Sequence, residues 1–361
     1  MIIDKAIKRS LVKYLVLLLV PVICVTVFAD EPENNRIISQ NPRSNIDDGL
    51  IISNIAQNDN ADLVLPLDVT DWTYSIGASM LSSPRIADID GDGVLDIICT
   101  TYGLPPNPYW SGIITILDID SEPLPGWPIT TGGPIPASAA IGDVDNDGDM
   151  EIVVGDWSSM YVFNHDGTNY PGWPIGTGIS ESPALADLDG DNDLEIIYPS
   201  NSILYVRHHD GSYFEGFPVS APEDIGSAAI GDIDNDGELE IVAGTLAGPV
   251  GPDPYEVYVW NTDGTVLEGF PVATSGTVKS TPALGDVDND GMLEIVVAAY
   301  DTSNQDYLYC WDHEGNSEQG WPVRAGYCRL SSPALGDIDN DGDLEIFIGG
   351  LMTSPYWMEI L

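Results

Sequence analysis

The sequence predicts an all-β fold, a six-bladed β-propeller of four-stranded blades whose ring is closed by an N-terminal strand completing the last blade. Three observations predict it. An acidic nine-residue motif occurs six times, the residues around each copy form one repeated unit, and the two ends of the repeated region complement each other. Self-similarity at a period of roughly 40–50 residues is typical of repeat architectures such as propellers.

The acidic motif reads Asp-x-Asp-x-Asp-Gly-x-x-Asp/Glu, and only its third copy departs from it, with Asn192 in place of the glycine. Successive copies start 44–55 residues apart. They begin at Asp88, Asp143, Asp187, Asp232, Asp286 and Asp337.

Each unit contains four strand-like runs separated by turn residues. A small-residue run such as Thr281–Gly285 precedes the acidic motif, and an apolar run such as Glu294–Ala298 follows it. An alternating aromatic run such as Val257–Trp260 then leads into a turn with glycine, a strong hairpin signal, and a Gly-Trp-Pro or Gly-Phe-Pro strand closes the unit. Four strands per unit indicate a propeller blade, whereas a solenoid of β-repeats would need shorter units.

The two ends of the repeated region fit together. The last unit stops at Leu361, before any Gly-Trp-Pro strand. Ahead of the first motif, Trp72 and Pro84 have the same spacing as Trp321 and Pro333. The strand around Trp72 is therefore expected to complete the sixth blade, which would remove exposed sheet edges. A seventh blade in a longer protein is the alternative.

The chain divides into three predicted segments. Residues 1–29 have the layout of a secretory signal, with four basic residues, an apolar run at 14–28 and a small residue, Ala29, before the cleavage point. An uncleaved membrane anchor is the alternative. Residues 30–65 are rich in Asn, Asp and Ser and are expected to form a flexible linker, and residues 66–361 form the propeller. The protein is therefore expected to be secreted or at the cell surface.

Charge excludes two classes of partner. The formal net charge is −47, and only seven basic residues follow the signal segment. Such a chain repels nucleic acids and anionic membranes. Three cysteines follow the signal segment, an odd number that is not a disulfide framework. Cys99 is expected to be a small buried side chain, and a Cys310–Cys328 bridge is conceivable although their spacing does not support it.

The acidic motifs are the candidate metal sites. Carboxylates at alternate positions converge only if the chain curls, and glycine at position six permits the positive φ that this requires. Calcium takes six to eight hard oxygen ligands with flexible geometry, whereas magnesium demands a stricter octahedron. Positions one, three, five and nine offer side-chain oxygens, and position seven can add its carbonyl. An EF-hand is excluded because it needs Glu at position twelve, which here is Cys, Val, Tyr, Ala, Val or Ile.

We therefore predict up to six Ca²⁺ ions, one per blade, with the third site doubtful because of Asn192. The predicted ligands are Asp88, Asp90, Asp92 and Asp96; Asp143, Asp145, Asp147 and Glu151; Asp187, Asp189, Asp191 and Glu195; Asp232, Asp234, Asp236 and Glu240; Asp286, Asp288, Asp290 and Glu294; and Asp337, Asp339, Asp341 and Glu345. Two carboxylates about 4 Å apart repel by roughly 4 kcal/mol at an effective dielectric of 20, so such loops need cations. The alternative is a set of solvated acidic turns.

On these motifs, residues 66–361 resemble the FG-GAP/VCBS repeat proteins, whose relatives include the propellers of integrin α-subunits. The resemblance implies the propeller fold, calcium at the motif positions and export. It implies no single activity, because such repeats serve adhesion, ligand binding and scaffolding, and some relatives are polysaccharide lyases. The stretch that gives the family its name is altered here to Ser-Pro-Ala-Leu-Gly.

Ligand-binding side chains are expected at the end of the blades opposite to the acidic loops. The long inserts and the crossovers between blades lie at that end. Candidates for ligand binding are Tyr102, Tyr109, Trp110, Trp157, Tyr255, Tyr300, Tyr327 and Arg329. Aromatic rings with a few polar groups suit sugar rings or a protein ligand, and packing of loop stems is the alternative. The crossovers also carry Lys279 and the acids Glu181, Glu223 and Asp224, and nothing in the sequence pairs these acids.

The sequence therefore favours an exported, calcium-binding module for an extracellular glycan or protein ligand. A carbohydrate-active enzyme of the polysaccharide-lyase type and a structural domain of a larger surface protein are the alternatives. No nucleophile elbow, zinc motif or phosphate loop occurs. The histidines at 165, 209 and 313 recur at equivalent hairpin turns, which indicates a structural role.

Overall fold

The computed structural model describes residues 74–75, 78–103, 111–246, 255–300, 306–326, 328 and 331–350, and the backbone of 359–360. These residues form 22 strands, and none of them is helical. Within the same ranges there is accordingly no apolar helix of membrane-spanning length. The prediction of an all-β chain is confirmed for this part of the sequence.

The strands form six small antiparallel sheets, called sheets 1 to 6 in chain order, and neighbouring strands within a sheet are consecutive in the chain. Sheet 1 consists of β1 (Arg85–Ala87), β2 (Asp96–Thr100), β3 (Ile113–Leu117) and β4 (Ile129–Thr130), and sheet 2 of β5 (Ala140–Gly142), β6 (Glu151–Gly155) and β7 (Met160–Phe163). Sheet 3 consists of β8 (Ala184–Ala186), β9 (Glu195–Ser200), β10 (Ile203–Arg207) and β11 (Val219–Ser220).

The second half of the chain repeats this plan. Sheet 4 consists of β12 (Ala229–Gly231), β13 (Glu240–Gly244), β14 (Tyr255–Trp260) and β15 (Val272–Thr274), and sheet 5 of β16 (Ala283–Gly285), β17 (Glu294–Tyr300), β18 (Asp306–Trp311) and β19 (Val323–Ala325). Sheet 6 consists of β20 (Ala334–Gly336), β21 (Glu345–Ile348) and β22 (Glu359–Ile360).

Four of the six sheets have the predicted four strands, and sheets 2 and 6 have three. In sheet 2 the expected fourth strand is reduced to one bridge, in which Met160 and Ile175 exchange both backbone hydrogen bonds at 2.8 and 2.9 Å. Gly176 follows Ile175 where the fourth strands of the other sheets have Thr130, Ser220, Ala273 or Arg324, and glycine weakens a strand. In sheet 6 the fourth strand was predicted to come from residues 71–74, and of these only Tyr74 lies within the described ranges.

The first strands of consecutive sheets contact one another from β1 through β20, a propeller-like arrangement. A Ser or Thr five residues before each acidic motif links these strands. The backbone N–H of Ser83 donates to Ser138 Oγ at 2.9 Å, and that of Ser138 donates to Ser182 Oγ at 3.1 Å. The Ser182 N–H bonds Ser227 Oγ, and the Thr281 N–H bonds Ser332 Oγ, each at 3.0 Å. These hydroxyls satisfy backbone groups that no strand ladder reaches.

The Gly-Trp-Pro or Gly-Phe-Pro segments lead into the fourth strand of a sheet, at the edge opposite to the first strand, and contact the next sheet there. The indole N–H of Trp127 donates to the carbonyl of His165 at 3.1 Å, and that of Trp173 donates to the carbonyl of His209 at 2.7 Å. The glycine before each of the first four rings lies directly against the hairpin turn of the following sheet. A Cβ on Gly126, for example, would lie 1.9 Å from the Asp166 carbonyl oxygen. This close approach explains the repeated glycine, and the carbonyls of His165 and His209 accept the indole hydrogen bonds at the same contact.

The apolar core lies between adjacent sheets. Strands of sheets 1 and 2 share one cluster around Ile114, Ile152 and Trp127, and sheets 3 and 4 share another around Ile197 and Trp260. The second strands are buried on both faces, as their near-continuous apolar runs predict.

All three cysteines among the described residues are buried and free. The predicted burial of Cys99 is confirmed. The conceivable bridge between Cys310 and Cys328 does not form, because Cys310 packs between sheets 5 and 6 while Cys328 contacts Ala298 and Leu308.

The substitution Gly269→Ala tests the packing between sheets. Its Cβ would lie 2.1 Å from the Glu314 carbonyl oxygen, so the backbone must shift. Gly237 has the same φ of +95° but open space around the Cβ position, so Gly237→Ala carries only the cost of the positive φ, roughly 1–2 kcal/mol. We expect Gly269→Ala to cost about 2–4 kcal/mol more than Gly237→Ala in chelator-treated protein. Denaturant unfolding measures both, and equal losses would contradict the contact.

Candidate functional site

The six acidic loops connect the first two strands of each sheet and share one backbone conformation. Position six has φ between 76° and 99°, and Asn192 adopts this left-handed conformation in the third loop as the glycines do in the others. Position four is left-handed too, with φ between 55° and 76°. The positive φ was predicted from the sequence at position six only. The signal for position four was present, because that residue is always Gly or Asn, the residues that best tolerate positive φ.

Backbone N–H groups fix the carboxylates in each loop. One oxygen of the position-one Asp accepts the N–H of position six at 2.8–3.1 Å in all six loops. The position-five Asp accepts the N–H of position seven at 2.7–3.0 Å. In four Asp side chains of the loops, one carboxylate oxygen is buried and has no hydrogen bond. These atoms are Oδ1 of Asp88, Asp145, Asp232 and Asp286.

The carboxylate at position nine lies at the base of each loop, at the start of the second strand. In the first five loops this residue is at most 3% exposed. One of its oxygens accepts the N–H of position two, at 2.6–3.0 Å, in all six loops. The position-nine carboxylate therefore forms the floor of the loop and faces the other acids.

Burial raises the pKa of these carboxylates. The pKa of Asp96 is raised to about 6, and those of Glu151, Glu240 and Glu294 to about 7, chiefly because burial disfavours the charged form. The neighbouring Asp charges raise them further, and the hydrogen bond from position two acts in the opposite direction. A cation among the carboxylates would offset the free-energy cost of burying their charged forms.

The donor set fits a hard divalent cation. Oxygens of Asp88, Asp90 and Asp96 lie within 4.8 Å of one another. The corresponding oxygens of the second loop (Asp143, Asp145, Glu151) and of the fourth (Asp232, Asp234, Glu240) do the same. Unpartnered buried oxygens beside all-oxygen donors are what calcium requires. These residues would supply an ion with side-chain oxygens from positions one, three and nine.

The third loop differs from the others in its surroundings. His208 Nδ1 lies 3.1 Å from Oε1 of the buried Glu195. Sheets 2 and 4 have Asn164 and Asn261 at the equivalent position, and there the amide donates to a Thr hydroxyl of its own turn instead. An ion in the third loop would share the Glu195 oxygen with an imidazole. Asn192, the residue that makes this site doubtful in the sequence, adopts the same conformation as the glycines, and the structural difference of the loop lies at His208.

The end of the sheets that carries the acidic loops is called the loop face, and the opposite end, with the crossovers, the crossover face. At the crossover face the described residues line a cavity of about 560 Å³. Tyr102, Trp157 and Tyr300, three of the predicted ligand-binding residues, line it. Tyr255 instead begins β14 and pairs with Thr274. The other four, Tyr109, Trp110, Tyr327 and Arg329, lie outside the described residues.

The cavity also contains charged side chains whose relation the sequence did not reveal. Glu181, Asp224 and Lys279 come from three successive crossovers and line the same space. Burial raises the pKa of Glu181 to about 7, although the positive charge of Lys279 and a hydrogen bond with Ser227 lower it. Three crossovers converge only once the sheets are arranged radially, so spacing in the sequence could not show this.

A family model described as an FG-GAP-like repeat matches residues 143–198, 187–243 and 286–348. Each matched segment runs from the start of one acidic motif to three residues beyond the end of the next. The chain carries FG-GAP-like repeats. This confirms the resemblance that the acidic motifs indicated, over five of the six loops. No curated protein matches the chain.

Several solved structures resemble the FG-GAP-like chain. The N-terminal part of BBS1, in complex with ARL6, aligns with a TM-score of 0.50 and 10% identity over 75% of each chain. The biofilm matrix protein Bap1 of V. cholerae aligns with a TM-score of 0.45 and 15% identity over 77% of this chain and 79% of its own. The C-terminal domain of Pseudomonas aeruginosa PilY1 gives 0.45 and 12%, over 71% and 65%. At these identities the likeness concerns the fold alone.

The raised pKa values predict how the metal-free protein responds to pH. A group whose pKa is higher in the folded than in the unfolded state contributes stability at low pH, and this is lost as pH rises through the folded pKa. Metal-free protein should therefore lose stability between about pH 4.5 and 7.5, by roughly 1–2 kcal/mol for each buried carboxylate after allowance for solvent screening. Thermal unfolding across this pH range measures the loss.

The matched variant is Glu240→Gln, whose amide oxygen can still accept the Ile233 N–H. In metal-free protein at about pH 8 it should be more stable than the wild type, because it removes a buried charge. In saturating calcium the order should reverse. A variant that is less stable than the wild type under both conditions would contradict the cause given for the raised pKa.

Proposed function

We propose that the chain is an exported propeller, stabilised by calcium in its acidic loops, that binds an extracellular glycan or protein ligand through its crossover face. The observation that carries the proposal is the shared geometry of the loops. Backbone groups hold the carboxylates together while buried oxygens such as Asp88 Oδ1 and Asp232 Oδ1 have no partner. Backbone hydrogen bonds in each loop hold like charges close together, and a bound cation is required to offset their repulsion.

The proposed architecture has six blades and a ring closed by the strand around Trp72. The inner-strand contacts from β1 to β20 support it. Residues 1–29 are proposed as a cleaved signal and 30–65 as a linker. A mass for the exported protein that corresponds to a chain starting at Asp30 would support this division, and a chain starting at Met1 would contradict it.

Calcium binding is tested by titrating metal-free protein and measuring stoichiometry by calorimetry. We expect up to six ions per chain, one per acidic loop, with the third site weaker than the others. His208→Asn, which introduces the residue found at this turn in sheets 2 and 4, should strengthen the third site by about threefold or more, because Glu195 becomes fully available.

The matched control is His209→Asn, because His209 Nδ1 faces Asp193, an acid at position seven, instead of the floor of the loop. It should leave the stoichiometry and affinities unchanged. Fewer than three ions per chain would contradict calcium sites in the loops. An equal effect of both histidine variants would contradict the account of the third loop.

A polysaccharide-lyase activity is the alternative that the cavity allows, since Tyr102, Tyr300 and Lys279 line one space. Such a lyase acts on acidic polymers, and the acids Glu181 and Asp224 would repel a uronate beside these groups. Binding without catalysis is therefore favoured. Appearance of unsaturated products from acidic polysaccharides would reverse this preference.

A further inference from the structure

The crossover-face cavity has features of a built site. Its volume of about 560 Å³ is within the range of small-molecule sites, which extends from about 300 to 1,000 Å³. Its walls combine three aromatic rings with three charged side chains, five of them from loops at one end of the sheets and the sixth, Tyr300, from the end of β17. A site of this composition can orient a ligand by hydrogen bonds while burying an apolar face.

Trp157 forms the aromatic platform of the cavity. Its side chain is 48% exposed, and the ring of Tyr102 meets it edge to face with ring centroids 5.5 Å apart. An exposed indole held at a defined angle by a second ring can stack on the apolar face of a sugar or on a peptide side chain.

The loop that carries Trp157 is held rigidly. The carboxylate of Asp156 is completely buried and accepts hydrogen bonds from the backbone N–H groups of Gly133, Ser158 and Ser159, each at 2.7 Å. The Trp157 carbonyl lies so close to Gly178 that a Cβ there would be 1.9 Å away. Rigid loops lose little conformational entropy on binding, so the platform is preorganised.

The charges of the cavity indicate the class of ligand. Lys279 contributes one positive charge, and Glu181 and Asp224 are two acids, of which Glu181 takes up a proton near pH 7. An anion would meet Asp224 and a protein of net charge −47, and a cation would meet Lys279. A neutral ligand with many hydroxyl groups satisfies both acids as acceptors and the ammonium group as donor.

We propose that this cavity binds a short neutral glycan, with one sugar face stacked on Trp157 and hydroxyl groups hydrogen-bonded to Glu181, Asp224 and Lys279. The inference rests on the proposed binding function of the crossover face and names its ligand class. It makes Trp157 the residue on which affinity depends most, and Asp224 and Lys279 the residues that select against charged sugars.

The experiment titrates calcium-loaded protein with neutral gluco-, manno- and galacto-oligosaccharides and, separately, with uronate oligosaccharides and short peptides, with binding measured by calorimetry. At least one neutral series should bind. Trp157→Ala should weaken this binding by about tenfold or more, equivalent to about 1.4 kcal/mol, and Trp157→Tyr should retain part of it. Lys279→Met should also weaken binding, and it should raise the pKa of Glu181 because the nearby positive charge is lost.

The control is Tyr213→Ala, which removes another exposed aromatic ring, one that follows a hairpin turn at the loop face. It should bind neutral glycans as the wild type does. Preference for uronates or peptides over every neutral series would overturn the ligand class, as would absence of neutral-glycan binding. Glycan binding that is insensitive to Trp157→Ala would overturn the site while leaving intact the proposal that the protein binds a glycan.

Discussion

The structure depends on a carboxylate at the base of each acidic loop, which is buried in the first five loops. This group begins the second strand of a sheet and accepts a backbone hydrogen bond from position two, so it joins the loop to the blade. Burying it without a cation raises its pKa and opposes folding at neutral pH. With an ion bound among the carboxylates, the buried charge of the position-nine carboxylate would stabilise the folded state instead of opposing it.

The loop face and the crossover face of the sheets differ in structure. At the loop face, hairpin turns, acidic loops and Gly-Trp-Pro strands pack against one another, and Trp127 and Trp173 bind the turn of the next sheet. At the crossover face the loops vary from blade to blade and line a cavity. Repetition thus serves stability at one end, and under the proposed function departure from repetition would provide specificity at the other. This division is typical of scaffolds that carry binding residues on variable loops.

Much of the fold could be predicted because its determinants are local. The acidic motif marks where the second strand of each sheet begins, and the alternating apolar pattern marks the strands themselves. Gly or Asn at positions four and six of the motif fixes the conformation of the loop. What could not be predicted are contacts between units. The Ser138 to Ser182 hydrogen bond joins residues 44 positions apart, His208 reaches Glu195 across a hairpin, and Glu181 meets Lys279 only where crossovers converge. The first and the last of these depend on the angle between neighbouring sheets, which no local pattern encodes, whereas the His208 contact depends on the register in which β9 and β10 pair.

The most direct test of the central claim is thermal unfolding of the metal-free protein at about pH 7.5, repeated while calcium is added. Each site filled at about a hundred times its Kd adds roughly 2.7 kcal/mol to the free energy of unfolding. With several loops occupied, the midpoint should rise by about 10 °C or more and level off as the sites saturate. An unchanged midpoint would mean that the acidic loops are solvated turns, and it would contradict the account of how this fold is held together.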